Sequence, residues 1–242
     1  MPMPLRRLIV CGEEPASVSA AAVVHALRLP LSQFRSAARA LVAPTDDVLL
    51  RVPELLNTAE CEVIRRALDA GVNTNQDSVD GLPDYQLDMH SVAELEELIG
   101  TAAVQRLQRL PQLFCASQRR AAAMCDAVPP EQEQKQWHQA TPAQPATALG
   151  IWQMFARRYT KHERPWFGFH RDKGPLTVNV ACSSDAYHEG GKLLGLLNGR
   201  VEVIHREEGE AIVHPSTLLH GVSRMEGGVR YSLIIFYREV PQ

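Results

Sequence analysis

After Gly150 the chain is cut into short β-rich runs: IWQMFARRY, LTVNVACS, GGKLLGLL, GRVEVIHR, EAIVHP and VRYSLIIFYRE. Gly, Pro, Asn or charged turns separate them. Several short strands at that spacing predict an antiparallel barrel or jelly roll. Before Gly150 the character is helical. Asn57 is followed three residues on by Glu60, the arrangement of a capping box, and Val63, Ile64, Ala67 and Leu68 make an apolar stripe that Gly71 closes. A second helix is expected from Ser91, with Glu94 three residues on, breaking at Gly100 and resuming through Val104, Leu107 and Leu110. A first strand is expected within 46–56, and a short one over YQLDM (85–89), after a polar loop at 73–84. The expected class is therefore α+β, with N-terminal helices supporting an all-β core in one domain over 46–242.

Two stretches stand outside that pattern. Residues 15–45 hold no acidic residue and three arginines (28, 35 and 39) among many Ala and Ser. That composition suits an organelle transit peptide, but Glu13 and Glu14 spoil the targeting pattern, and an amphipathic helix packed on the domain fits better. The expected location is the cytoplasm, or an organelle if residues 1–45 direct it there. Residues 125–150 are rich in Pro and Gln and read as a flexible insertion.

Charge and cysteines narrow the class. A formal net charge of -3 over 242 residues suggests no general affinity for nucleic acid or a membrane surface, and no apolar run is long enough to span a bilayer. The five cysteines (11, 61, 115, 125 and 182) form no CxxC pair, so neither a zinc ribbon nor a disulfide framework is expected.

The chemistry concentrates in FGFHRDKG, residues 167–174. If this stretch is extended, His170 and Asp172 point to one face, because strand side chains repeat every two residues. An imidazole and a carboxylate facing inward supply two ligands to an Fe(II)-type centre. A third ligand can come from His214 or His220. Arg230 lies ten residues after His220, and Ser232 lies two further on, on the same strand face. A guanidinium forks onto a carboxylate in bidentate fashion, and a neighbouring hydroxyl adds a donor. The other histidines, 162, 188 and 205, sit among charged or turn residues and read as solvated. From 157 to 173 the net charge is +4, which reads as a solvated loop beside the site.

Taken together, HxD at 170–172, His220 after 47 intervening residues, and then Arg230 and Ser232 resemble the Fe(II)/2-oxoglutarate-dependent dioxygenase superfamily, its prolyl 4-hydroxylase/lysyl hydroxylase group above all. TVNVA (177–181), EGGKL (189–193) and EEGEAIVHP (207–215) resemble strands of that group. The resemblance covers roughly residues 150–238. It implies a double-stranded β-helix, a jelly-roll or cupin-like core, with Fe(II) held by His170, Asp172 and His220. It also implies 2-oxoglutarate as co-substrate anchored on Arg230, O2, and ascorbate as a reductant. Prolyl 4-hydroxylases usually carry Lys where Arg230 stands, and often a Tyr where Phe167 stands. Ser232, Tyr159 or Thr177 would then supply the missing donor to 2-oxoglutarate, and Asn179 is a further candidate contact. The implied activity is hydroxylation of a C–H bond with release of succinate and CO2. A peptidyl proline or lysine is the expected substrate, with the loop near 73–90 and the 125–150 insertion as lids. The alternatives are a small-molecule or nucleic-acid oxygenase of the same superfamily, or a jelly-roll binding module without catalysis.

Overall fold

Alternation along the strands sorts the chain into a helix-packed face and an interior face. The computed structural model describes residues 8–9, 49–125, 148–197 and 200–240; the proposed 1–45 extension (apart from Leu8–Ile9) and the 125–150 insertion (apart from its ends) lie outside them. The larger sheet has seven strands in the order β1 (Leu8–Ile9), β2 (Leu49–Val52), β10 (Ala211–Pro215), β6 (Leu176–Ala181), β13 (Val229–Glu239), β4 (Leu149–Thr160), β3 (Gln86–Met89). A smaller sheet runs β5 (Phe167–His170), β11 (His220–Val222), β8 (Leu193–Leu197), β9 (Arg200–Ile204). A two-stranded ribbon pairs β12 (Met225–Gly227) with β7 (Glu189–Gly190). All pairings are antiparallel, and this is the expected α+β double-stranded β-helix.

Four helices cover one face of the larger sheet: α1 (Thr58–Ala70), α2 (Val92–Ile99), α3 (Thr101–Gln108) and α4 (Leu110–Cys125). The Asn57 capping box is formed in both directions, Glu60 N–H to Asn57 Oδ1 at 2.9 Å and Asn57 N–H to Glu60 Oε2 at 2.8 Å. Ser91 caps α2 through Glu94 N–H at 3.2 Å. Gly100 breaks the helix as expected, at φ 86°, a left-handed value that glycine adopts without steric cost. The first strand is shorter than the 46–56 window, because Pro53 cannot donate to the ladder and ends it.

On β13, Leu233, Ile235 and Tyr237 meet the helices, together with Val178 and Val180 of β6, Met154 and Ala156 of β4, and Ile64, Leu68, Leu95 and Leu107 of the helices. Tyr237 ties the two layers directly, its hydroxyl donating to the Leu107 carbonyl at 2.8 Å. The intervening residues of the same strands face the space between the two sheets. These are Arg230, Ser232, Ile234 and Phe236 on β13, Thr177 and Asn179 on β6, and Phe155, Arg157 and Tyr159 on β4. The period of two that builds the core therefore delivers every candidate site residue of these strands to one interior.

Among the described residues, no helix is long and apolar enough to cross a membrane. Cys61, Cys115 and Cys182 are free thiols.

Candidate metal centre

His170 and His220 are 50 residues apart in sequence, and strand pairing makes them cross-strand partners: in the β5–β11 ladder His220 stands opposite His170. Their ring centroids are 4.4 Å apart. Asp172 does not lie on the strand, as extension of 167–172 would have it. β5 ends at His170, and the following turn carries Asp172, held by its backbone N–H donating to the Ser216 carbonyl at 3.0 Å. Even so, the ligand atoms of His170, Asp172 and His220 all lie within 4.8 Å of one another.

The hydrogen bonds decide which nitrogen faces the centre. His170 Nδ1 lies 2.8 Å from the Gly168 carbonyl and His220 Nδ1 lies 3.1 Å from the Leu218 carbonyl. A carbonyl only accepts, so each Nδ1 carries the proton and each Nε2 is left with its lone pair. Those lone pairs point at the two oxygens of Asp172, His170 Nε2 to Oδ1 at 3.3 Å and His220 Nε2 to Oδ2 at 3.4 Å. Burial pushes His220 down to about 3, against the attraction of Asp172, so the ring is neutral near neutral pH. Burial raises the Asp172 carboxyl, but the imidazoles of His220, His170 and His214 outweigh it and hold the group well below the ordinary carboxylate range. With Nδ1 engaged by a carbonyl in each ring, the two Nε2 atoms and the Asp172 carboxylate converge as a donor set that fits a divalent cation.

The surrounding groups orient this set. Thr177 donates from Oγ1 to Asp172 Oδ2 at 2.8 Å and lies 3.0 Å from Ser216 Oγ, which donates to the Lys173 carbonyl at 3.3 Å. Thr177 is thus engaged with the Asp172 carboxylate. His214, opposite Thr177 in the β10–β6 ladder, packs its ring 4.7 Å from His220 and is buried. Phe167 packs edge-on against His170, 4.3 Å between centroids.

At the other end of the interior stands Arg230. It is 0% exposed, and none of its three guanidinium nitrogens has a hydrogen-bond partner; the Ser232 hydroxyl is likewise buried and unpartnered. Desolvating a cation without compensating acceptors is costly, and an anion is the group that could supply them. The guanidinium lies over the Tyr159 ring, 4.6 Å from its centroid. Gly191, at φ 60°, passes so close that a Cβ there would meet the Met225 sulfur at 2.1 Å and Arg230 Cδ at 3.4 Å. A cavity of about 250 Å³ opens between the sheets, lined among others by His170, Asp172, His220, Tyr159 and Asn179. Arg230 and Ser232 do not line it, whereas Tyr159, against whose ring the guanidinium lies, does.

Three groups escape a reading of the sequence. Arg206 is almost wholly buried, donating to Asn179 Oδ1 at 2.7 Å and, more weakly, to Asp185 Oδ1 at 3.4 Å. Burial and the charge of Arg230 lower it to about 10, against Asp185. His188 is buried, not solvated, its Nδ1 2.9 Å from the Gly190 carbonyl and its Nε2 3.5 Å from Asp185 Oδ1. His162 and His205 are exposed as expected. The net +4 stretch is also not a solvated loop. Arg157 and Arg164 are buried and paired with Asp77 and Asp80, and Arg158 is paired with Asp69 and Glu163; only Lys161, Arg171 and Lys173 are exposed. The signal for Arg206 was the alternation itself, since buried Ile204 two residues earlier sets its face.

A double-stranded β-helix with a His–Asp–His cluster in its interior is the architecture the chain presents. No family model matches the sequence, and no curated protein matches it. Solved structures do. An oxidoreductase of the 2OG-Fe(II) oxygenase family from Burkholderia pseudomallei is similar over 85% of this chain and 90% of its own, at 16% identity and a TM-score of 0.52. A prolyl-4-hydroxylase from Pseudomonas putida is similar over 85% and 98%, at 14% and 0.51. The epimerase SnoN, solved with Fe3+, alpha ketoglutarate and nogalamycin RO, is similar over 85% and 84%, at 14% and 0.50. At these identities the likeness is one of fold, and the fold is that of 2-oxoglutarate/Fe(II) oxygenase structures.

Proposed function

We propose that the protein is an Fe(II)- and 2-oxoglutarate-dependent oxygenase that hydroxylates a substrate C–H bond. The observation that carries this is the pairing of two unusual arrangements in one interior. One is a converging His–Asp–His donor set, and the other is a fully buried guanidinium whose nitrogens have no hydrogen-bond partner. His170, Asp172 and His220 would hold the iron, and Arg230 with Ser232 would take the distal carboxylate of 2-oxoglutarate. When bound, iron, 2-oxoglutarate and O2 together supply the oxidation, which releases succinate and CO2 and places one oxygen atom on the substrate.

The chain's own residues set the geometry. The carbonyls of Gly168 and Leu218 fix the tautomers of the two imidazoles, and Thr177 fixes the carboxylate rotamer. Tyr159 lines the cavity and its ring lies against the Arg230 guanidinium, so it would border the distal carboxylate of the co-substrate. Asn179, held by Arg206, lines the cavity wall, within reach of the co-substrate. Phe155, Phe167, Ile234 and Phe236 make an apolar interior that keeps water from the reacting atoms.

A peptidyl proline or lysine is the substrate this reading favours. The likeness of fold to a prolyl-4-hydroxylase supports it, as does the 73–84 loop, which supplies Gln76, Asp77, Ser78 and Val79 to the cavity wall in the manner of a lid. A small-molecule substrate is the second reading, favoured by the similar fold of SnoN with its bound nogalamycin RO. Succinate release from 2-oxoglutarate with added Fe(II), in wild type and His170→Ala, tests the class without knowledge of the substrate. Turnover in wild type and none in the variant is expected. Failure of the iron-loaded protein both to turn over and to bind 2-oxoglutarate would leave a binding module without catalysis.

A further inference from the structure

The cavity wall farthest in kind from the metal cluster is acidic, and its charges do not balance. The 73–84 loop is pinned to β4 and to the turn after it by buried ion pairs. Arg157 donates to Asp77 Oδ2 at 2.7 Å and to Gln86, while Arg164 donates to Asp80 Oδ1 at 2.9 Å and lies 3.5 Å from Asp77 Oδ2. Phe167 stacks against both guanidinium groups, whose carbons lie 5.0 and 4.3 Å from its ring centroid. Two cations therefore face Asp77 and Asp80, and one further carboxylate remains. That carboxylate is Asp84. It lines the cavity, is only 4% exposed, and its Oδ1 has no hydrogen-bond partner.

The backbone around Asp84 is held in place. The Asp84 N–H donates to the Asn75 carbonyl at 3.0 Å, and the next carbonyl, that of Tyr85, accepts from Arg158 N–H at 3.1 Å. Tyr85 sits at φ 47° and Arg164 at φ 49°, both left-handed values that cost a non-glycine residue free energy. Burial raises the Asp84 carboxyl, against the attraction of Arg157 and reinforced by Asp88 and Asp77. A strained backbone thus holds a desolvated carboxylate at a cavity wall, beside a guanidinium already engaged by Asp77 and Gln86. Beside it, Phe155, Ile234 and Phe236 form an apolar cluster that also lines the cavity.

We infer that Asp84 is a specificity-determining residue that receives a protonated amine carried on an apolar stem. An ammonium supplies the donors Asp84 lacks and neutralises the surplus charge of the wall, while the stem lies along the Phe155–Ile234–Phe236 surface. The exposed Arg171 and Lys173, which flank Asp172, repel such a head from the metal end and orient it toward the acidic wall. This deepens the oxygenase reading by naming the substrate class of the same cavity, since a peptidyl proline brings no such charge whereas a lysyl side chain or a free alkylamine does.

The test is ligand-observed NMR titration of the full chain, kept metal-free so that an amine cannot ligate iron. Two probe pairs are compared: n-hexylamine with 1-hexanol, and Nα-acetyl-lysine amide with its Nε-acetylated, neutral form. Each amine is expected to bind at least about tenfold more tightly than its neutral counterpart. Asp84→Asn should erase that preference, whereas Glu62→Gln, at an exposed carboxylate on α1 away from the cavity, should keep it. The tighter of the two amines tells a lysyl source from a free one. Equal binding of amine and neutral probe to wild type, no binding of any probe, or a preference that survives in Asp84→Asn overturns the inference. The wild-type comparison stands whether or not the variants fold. None of these outcomes depends on iron or 2-oxoglutarate, so the oxygenase reading is judged separately by succinate release.

Discussion

Replacing Arg230 by methionine should weaken 2-oxoglutarate binding while leaving the ligand-free protein as stable as before, or more so. The guanidinium is 0% exposed, has three unpartnered nitrogens, and lies near a second buried cation, Arg206, whose charge it opposes. Burial pushes Arg230 down, against Tyr159 and Asp185. A desolvated cation with no hydrogen-bond partner costs the ligand-free protein free energy, which an apolar side chain of similar volume relieves. In a domain of this size each kcal/mol moves the unfolding midpoint by roughly 2–4 °C. The midpoint of Arg230→Met should therefore hold or rise. Binding should move the other way. Truncating one partner of a buried charged pair costs about 2–5 kcal/mol, or at least about thirtyfold in Kd at roughly 1.4 kcal/mol per decade. Anaerobic calorimetric titration of the iron-loaded protein with 2-oxoglutarate reads the affinity, and thermal unfolding of the ligand-free protein reads the stability. A variant that loses several kcal/mol of stability yet binds 2-oxoglutarate like wild type would show that Arg230 is a structural cation, and the pocket assignment would be wrong.

Other expectations follow from individual contacts. Thr177→Val removes the hydroxyl that holds Asp172 Oδ2, so Fe(II) affinity, measured by competition with a chelator, should fall by about 10- to 100-fold with little change in fold. Burial raises Asp185, but the His188 hydrogen bond and the charges of Arg206, Arg230 and Lys192 together hold it at about 2, below its ordinary 3.8. A depressed carboxyl contributes stability above its unfolded value and loses it as pH falls through the folded one. Asp185→Asn should therefore cost roughly 2–3 kcal/mol near neutral pH, at about 1.4 kcal/mol per unit. The difference from wild type in denaturant unfolding should fade between about pH 4 and about pH 2. Tyr237→Phe removes the hydroxyl bonded to the Leu107 carbonyl in the core and should cost about 1 kcal/mol by denaturant unfolding, without altering metal binding.

How much of this was legible in the sequence depends on the range of the interactions. Local signals held. Asn57 and Ser91 start their helices, Gly100 breaks one, and alternation on β13 places Arg230 and Ser232 on the interior face. The order of HxD, His220 and Arg230 was enough to place the donor set, because the strand pairing that joins His170 to His220 belongs to the fold the order implied. What the sequence hid lies in pairs distant along the chain. Arg157 meets Asp77 across 80 positions and Arg164 meets Asp80 across 84, so a stretch that looks like a solvated basic loop is a buried ion-pair network. His188 looked like a solvated turn residue because its partner, Asp185, stands on a three-residue helical turn that no periodicity announces. Asp172 comes together with His170 and His220 through a turn held by Ser216, not through the strand alternation expected of 167–172.

If His170, Asp172 and His220 form one iron site, metal stoichiometry reports it. Anaerobic loading with Fe(II), followed by removal of unbound metal and elemental analysis, should give one iron per chain in wild type and in His214→Ala. It should give little or none in His170→Ala, Asp172→Ala and His220→Ala, each shown to be folded by its circular dichroism. Iron retained at wild-type stoichiometry by all three ligand variants, or absent from the wild type, would contradict the account.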